Sequence, residues 1–391
     1  MNFLKRANEL KDEAISLRRY FHAHPETSQH EFSTADKIEK ELDLLGIAHK
    51  RIDSTGVYAE LQGKKSGKSI LLRTDTDALS ITEMNDIPYK SQNEGVMHAC
   101  GHDATTAALL TAARMLCECK NDLCGRVGFI FQHAEENGAG AKAFVEAGIT
   151  NGFDRVFGCH AAIDVPSGNV SVMEGCNNAS VDAMRIHIKG KSAHVMLPEQ
   201  SADALYCACQ TVIALQGITT RRISPAEPIL LSASTIHAGT AYNIIPEDCV
   251  IGGTLRAISP ETREFVKKEV EKTTNSICES CGCKCDIEWM DHTPPLINPL
   301  PECEEVRKTV IKLFGKDHLQ VKRALSMGGD DFARYQEKVN GAYAYLGIAN
   351  KDNPETLFPL HSPRFNIDEK EITVAAALEA QYAFDYLNGE L

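Results

Sequence analysis

The chain has 391 residues, 43% hydrophobic and 24% charged, an ordinary globular usage that excludes disorder, collagen and coiled coil. At ~150 residues per domain it has length for two or three domains, enough to bury a full core without a staple. Acidic residues outnumber basic ones 54 to 41, for a formal net charge of -13 and no Lys/Arg-rich block, which disfavours binding to a phosphate backbone.

The N-terminal stretch MNFLKRANELKDEAISLRRYF carries charge every few residues and lacks the apolar h-region of a secretory signal. No run approaches the ~18 apolar residues of a membrane span. A soluble, cytoplasmic protein with reduced thiols is therefore expected. Residues 1 to 24 read as a helix, with Leu4, Leu10, Ile15 and Phe21 near helical spacing, closed by His24-Pro25. A second helix spans Ala35 to Leu45 and stops at Gly46. Apolar runs at Ser69–Arg73, Val127–Gln132 and Arg155–Cys159 then alternate with helical stretches at Ala104–Leu116 and Ala141–Ala147. Such alternation predicts an α/β domain around a largely parallel sheet.

The rhythm changes between residues 180 and 291. Met184, Ile186 and Ile188 alternate with polar residues as in a half-buried strand, and Leu205, Cys209, Val212 and Leu215 mark a helix. Strands at Ile229–Ile236 and Cys249–Ala257 follow. Ser259-Pro260 opens another helix as N-cap and first residue, and Cys283, Cys285, Ile287 and Trp289 mark a last strand. The order βαββαβ is that of a ferredoxin-like module. After Pro294-Pro295 an α/β pattern resumes, so the module reads as inserted: residues 1–179 and 292–391 form one discontinuous domain, residues 180–291 another.

Polar clusters fall where three predicted strands end: Asp75 and Asp77, then Gln132-His133-Ala134-Glu135-Glu136, then Cys159-His160. Ligands of open α/β sheets bind outside the carboxyl ends of strands, so these clusters are candidates for one crevice. Met97-His98-Ala99-Cys100-Gly101-His102-Asp103 lies between them in sequence, and Leu360-His361-Ser362-Pro363 supplies another loop histidine. Thiolate, imidazole and carboxylate are ligands for Zn²⁺ and neighbouring divalent ions. Of two adjacent glutamates, one can ligate while the other moves a proton. Spacing alone leaves each residue open to the plainer reading of a loop side chain.

The segment Arg18-Arg19-Tyr20-Phe21-His22-Ala23-His24-Pro25-Glu26, the run Leu72–Leu79, Met97–Asp103, Gln132–Glu136 and Leu360–Pro363 together resemble, in order, the motifs of a known family. It is that of the metal-dependent, M20-type peptidase-like amidohydrolases, which includes hippurate hydrolase, N-acyl-amino-acid aminoacylases, indole-acetyl-amino-acid hydrolases and N-acetyldiaminopimelate deacetylase. The resemblance implies an α/β/α zinc-peptidase-like catalytic domain with an inserted ferredoxin-like dimerisation or lid domain. It implies two divalent metal ions (Zn, Mn, Co or Ni) held by Cys100, His102, Glu136, His160 and His361, with Cys100 bridging. Glu135 would be the general base and Asp77 would hold a neighbouring ligand in place. His194, in Gly190-Lys191-Ser192-Ala193-His194, would reach across a homodimer to stabilise the oxyanion, and Asn243 and Arg256 would bind the substrate carboxylate. The expected reaction is hydrolysis of an N-acyl amino acid to a carboxylic acid and a free amino acid. A metallo-dipeptidase or carboxypeptidase on the same site, or an N-acetyldiaminopimelate deacetylase, is the alternative.

The chain departs from the family pattern at three places. Thr105 stands where a second histidine is common, His133 replaces a proline, and Asp330 stands where glutamate is frequent. His22, His24 and His98 read as structural. Cys278, Cys281, Cys283 and Cys285 read as a helix end and a buried strand face rather than a zinc knot, because buried cysteine commonly packs as a small hydrophobe.

Overall fold

Ile70–Leu72 and Val127–Phe131 are apolar at nearly every position, a pattern that suits a strand covered on both faces. In the computed structural model, which describes all 391 residues, both runs lie in the interior of an eight-stranded mixed sheet. Its order is Ala48–Ile52, Gly56–Gln62, Cys124–Gln132, Lys65–Asp75, Arg155–Pro166, Gly341–Ala349, Val170–Ser171 and Leu319–Gln320. The four strands from Cys124–Gln132 to Gly341–Ala349 pair in parallel, whereas Ala48–Ile52 and Gly56–Gln62 add an antiparallel edge. This sheet belongs to a unit made of Met1–Gly175, Ile297–Ala324 and Asp331–Leu391.

Helices His102–Glu118 and Glu371–Asn388 pack on each other and on Lys65–Asp75. Both are buried almost throughout, His102–Glu118 mostly through Ala, Leu and Thr and Glu371–Asn388 through Ala together with Leu378, Tyr382 and Tyr386. The single helix expected over residues 1 to 24 is two, Phe3–Glu9 and Lys11–Ala23, broken at Leu10, which leaves the helical region at φ -93°, ψ 5°. No glycine or proline marks that break. Gly46 ends Phe32–Leu45 as expected, at φ +65°. The strand expected to end near Cys159 runs on to Pro166, so His160 sits within a strand, opposite Tyr345.

The second unit comprises Cys176–Leu296 and Leu325–Asp330. Its four-stranded antiparallel sheet has the order Ile229–Ala238, Asp248–Ala257, Val181–Lys189 and Lys284–Thr293. Helices Ala204–Arg221 and Pro260–Ser280 pack on each other and on this sheet. The core joins Met184, Ile186 and Ile188 to Cys207, Leu215, Ile251, Val266, Val270 and Cys278. Ser259 accepts a bond from Thr262 N at 3.1 Å as N-cap, and Pro260 needs no donor at the next position. Leu325–Asp330, which the sequence reading left with the flanking domain, packs with this unit because Ser326 bridges Asn178 and Thr293 Oγ1 donates to the Asp330 carbonyl at 3.0 Å. No helix is long and apolar enough to cross a membrane.

Candidate metal centre

Three chain reversals in the first unit bring chemistry together. Gly101, at φ +95°, turns the loop carrying Cys100 into the helix that begins at His102; a side chain there would strike Ala161 Cβ at 2.8 Å. After Cys124–Gln132 the chain turns through Ala134, a non-glycine residue at φ +52°, into Glu135 and Glu136. His361 is also left-handed, at φ +63°, and its N–H donates to the Ala99 carbonyl at 2.7 Å. Two of the four non-glycine residues with positive φ thus belong to this small region, a conformation that persists only where surrounding contacts impose it.

The donor atoms of Cys100, His102 and His160 lie within 4.8 Å of one another, as do those of Cys100, Glu136 and His361, and of His102, Glu135 and Glu136. The first two triads share the Cys100 sulfur. His160 donates from Nδ1 to the Ala161 carbonyl at 2.8 Å, which turns Nε2 towards Cys100 Sγ at 3.3 Å. His102 likewise donates from Nδ1 to the Asp77 carbonyl at 2.9 Å, and its Nε2 is buried without a hydrogen bond. Asp77, 1% exposed, accepts Glu136 N at 3.0 Å and Ser28 Oγ at 2.7 Å and lies 3.3 Å from His102 Nδ1, so it ties two candidate ligands to one carboxylate.

The local field is that of an anionic cluster. Burial and the Glu136 carboxylate push the Cys100 thiol up, but the imidazoles of His160 and His102 outweigh them and bring it to about 6. Bonding to Cys100 and Glu136 raises His361 to about 10, and the same thiolate with Asp77 lifts the buried His102 well above its ordinary range despite the cost of burial. The imidazoles take up protons where thiolate and carboxylate charge accumulates. A divalent cation would supply that positive charge, and an orphaned buried Nε2 aimed at the cluster fits such an ion.

His194, Asn243 and Arg256 lie in the second unit. Ala193–His194 pairs with Ile244–Ile245, and the Asn243 carbonyl accepts Val195 N at 3.2 Å, so His194 and Asn243 are neighbours there. His194 is exposed and Arg256 half-buried on Asp248–Ala257.

Apart from His22, which the sequence already marks as structural, the supporting residues carry no role readable in the sequence. Arg18, His22, Asp103 and Glu83 form a buried chain: Arg18 Nε donates to Asp103 Oδ2 at 2.8 Å, and His22 spans Asp103 at 2.8 Å and Glu83 at 3.1 Å. Their signal was a charged pair, Arg18 and His22, one helical turn apart beside a site motif. Arg73 joins Gln132 at 2.9 Å, Asp75 at 2.7 Å and Asp331 at 2.5 Å. Glu31 accepts Ala134 N at 2.8 Å. At the three departures, Thr105 takes a bond from Thr74 Oγ1 at 2.8 Å, His133 Nε2 lies 3.4 Å from Asp53 Oδ2, and Asp330 presents its carbonyl to Thr293. His98 is buried with neither ring nitrogen bonded, and burial lowers it to about 4. In the second unit, Cys278 and Cys283 are buried, and Cys207 Sγ lies 3.6 Å from Cys278 Sγ within the apolar core.

Residues 71–385 match the family described as "Peptidase family M20/M25/M40". Thermostable carboxypeptidase 2 of Saccharolobus solfataricus is 36% identical over 384 residues, 97% of each chain. N-acetyl-L-cysteine deacetylase of Bacillus subtilis is 38% identical over 369 residues, 94% of this chain and 86% of its own. Among solved structures, the Bacillus subtilis YxeP protein, described as a dinuclear metal binding peptidase from the M20 family, aligns with a TM-score of 0.84 at 33% identity, over 97% of this chain and 99% of its own. The chain belongs to peptidase family M20/M25/M40.

Proposed function

We propose that the protein is a two-metal amidohydrolase that splits N-acyl amino acids into a carboxylic acid and a free amino acid. The observation that carries this reading is the pair of donor triads sharing Cys100, with Glu135 beside them. Cys100, His102 and His160 would hold one divalent ion, and Cys100, Glu136 and His361 the other. When bound, the ions would polarise the scissile carbonyl and make the attacking water more acidic. Glu135 takes the proton from that water as it adds to the carbonyl carbon, then returns it to the amide nitrogen as the C–N bond breaks. Asp77 keeps His102 and Glu136 oriented through its two carboxylate oxygens. His194, acting on a neighbouring protomer's site, donates to the developing oxyanion, and Asn243 and Arg256 take the substrate carboxylate.

We read the chain as an α/β/α zinc-peptidase-like catalytic domain, residues 1–179 and 292–391 apart from Leu325–Asp330, interrupted at 180–291 by a ferredoxin-like domain that mediates dimerisation. The second unit supports a homodimer: Ile229–Ala238 is an edge strand, and Tyr206 and Ile213 on the adjoining helix are exposed at 57% and 68%. A thiolate ligand needs a reducing compartment, which favours the cytoplasm. The carboxypeptidase named among the relatives keeps a peptidase reading open. Turnover of N-acetyl-L-methionine against the dipeptide alanyl-methionine separates the two. Glu135→Gln should retain both metals and lose at least about 100-fold in kcat; wild-type turnover with full metal content would remove Glu135 from the mechanism.

A further inference from the structure

The loop that presents Glu135 and Glu136 leaves the sheet through Ala134 in the left-handed region, where a side-chain-bearing residue needs contacts to hold it. Several contacts hold Ala134 and Glu136, two residues on, among them a bond from Ala139 N to the Ala134 carbonyl at 3.2 Å. Glu31 Oε1 accepts Ala134 N at 2.8 Å, Gly140 N donates to the Ala134 carbonyl at 3.1 Å, and Asp77 Oδ2 accepts Glu136 N at 3.0 Å. Gly140 is forced by the same tight turn, since a Cβ there would lie 1.7 Å from the His133 carbonyl oxygen.

Glu31 is fully buried, and Thr55 Oγ1 fixes its other oxygen at 2.8 Å. Its position in the chain makes this use notable. Glu31 sits at the N-cap position of the helix Phe32–Leu45, yet its side chain makes no capping bond. Glu26 does that instead, accepting Ser33 N at 3.1 Å and Thr34 N at 2.8 Å. From the same stretch, Ser28 Oγ donates to Asp77 Oδ2 at 2.7 Å. The segment from Glu26 to Glu31 therefore delivers one contact to the Ala134 amide and one to the carboxylate that holds Glu136.

We infer that Glu31 is a positioning residue: through the Ala134 amide it fixes the backbone turn that aims Glu135 at the reacting centre and Glu136 at its ligand position. This rests on the roles assigned above to those two glutamates. Glutamine at position 31 can keep both bonds, with Oε1 accepting from Ala134 and Nε2 donating to Thr55 Oγ1, whereas alanine loses both.

The test compares Glu31→Ala, Glu31→Gln and wild type as metal-loaded protein, with N-acetyl-L-methionine as substrate and with amide hydrogen exchange of peptides covering 132–140. Glu31→Ala should speed exchange in that segment, lower kcat on the order of 100-fold with KM within about threefold, and weaken metal retention against a chelator by about tenfold. Glu31→Gln should restore exchange to wild type and kcat to within about fivefold. If Glu31→Ala fails to fold, Thr55→Val, which removes only the hydroxyl aligning Glu31, should move exchange and kcat in the same direction to a smaller degree. Wild-type exchange over 132–140, or a kcat within about threefold of wild type in a folded Glu31→Ala protein, overturns the inference. A fully active Glu135→Gln enzyme would instead overturn the assignment of the base, and the exchange comparison would still decide whether Glu31 holds the turn.

Discussion

Replacing Glu379 by glutamine should make stability less dependent on pH, and the size of the effect follows from where the side chain sits. Glu379 lies on the helix Glu371–Asn388, is 1% exposed, and has one polar neighbour, Cys159 Sγ, which donates to Oε1 at 3.4 Å, while Oε2 is buried without a bond. Burial raises its pKa from 4.5 to about 8, and one weak thiol bond offsets little of that. A carboxyl whose folded pKa is raised leaves stability intact below 4.5 and removes it as pH climbs towards about 8, because the unfolded chain releases the proton first. Glutamine has the shape of the protonated acid and does not titrate, so Glu379→Gln removes this term alone. At ~1.4 kcal/mol per unit, the variant's advantage over wild type should grow by about 3 kcal/mol between about pH 5.5 and pH 8.5. Other titrating groups, including the buried Glu371 at about 7, are common to both proteins and cancel in the difference. Urea unfolding followed by far-UV circular dichroism measures it; the sole tryptophan, Trp289, reports on the second unit and is unsuitable. A difference that stays flat across this range, or shifts in favour of wild type, would refute the argument that Glu379 is forced to carry its proton.

Because Cys100 belongs to both donor triads, Cys100→Ala should retain less than one metal per chain, whereas His361→Ala should retain one of two, by elemental analysis after gel filtration. Arg18 and Asp103 are both fully buried, so Arg18→Ala leaves a carboxylate that the arginine holds far below its usual range with His22 as its remaining ionic partner; a loss of roughly 3 kcal/mol in urea unfolding is expected, and one below about 1 kcal/mol would show that His22 or water carries the charge alone. In the proposed homodimer, Ile213→Asp, on an exposed apolar helix face of the second unit, should halve the mass measured by light scattering and, through the role proposed for His194 on a neighbouring site, lower kcat. An unchanged mass would refute an interface on this helix face.

Much of the fold was readable because burial imposes a period on the chain. Met184, Ile186 and Ile188 are inward and their neighbours outward, so the second unit's strands appear as alternation, and Ser259-Pro260 announces a helix start through the missing N–H of proline. The break at Leu10 was not readable. Leu10 is itself a buried apolar residue at helical spacing, and only its φ and ψ distinguish it from a helix interior. His160 was misplaced for a related reason: a polar residue after an apolar run looks like a strand end, but here the strand continues and the imidazole projects from its middle.

For the site, residues that contact the proposed metals and residues that support them differ in how they announce themselves. Cys100, His102, Glu135, Glu136 and His361 occur in short polar clusters within otherwise apolar surroundings, which is unusual enough to detect locally. Glu31 and Ala134 are 103 positions apart, and Arg73 and Asp331 are 258 apart. Nothing local pairs them, because a hydrogen bond across that separation exists only once the sheet has brought its strand ends together. Such residues do leave one trace: each is a charged or polar group that the fold buries against the cost of desolvation. Glu31, Arg18, His22, Asp103 and Arg73 are all almost completely buried and all bonded to backbone or side chains in or next to the loops that carry the candidate ligands. In a core built for stability alone, apolar replacement of such buried charged groups is often neutral or stabilising. Their concentration around the Cys100 cluster means the first unit gives up some stability to hold those loops in conformations, such as those of Ala134 and His361, that the chain would not adopt unaided.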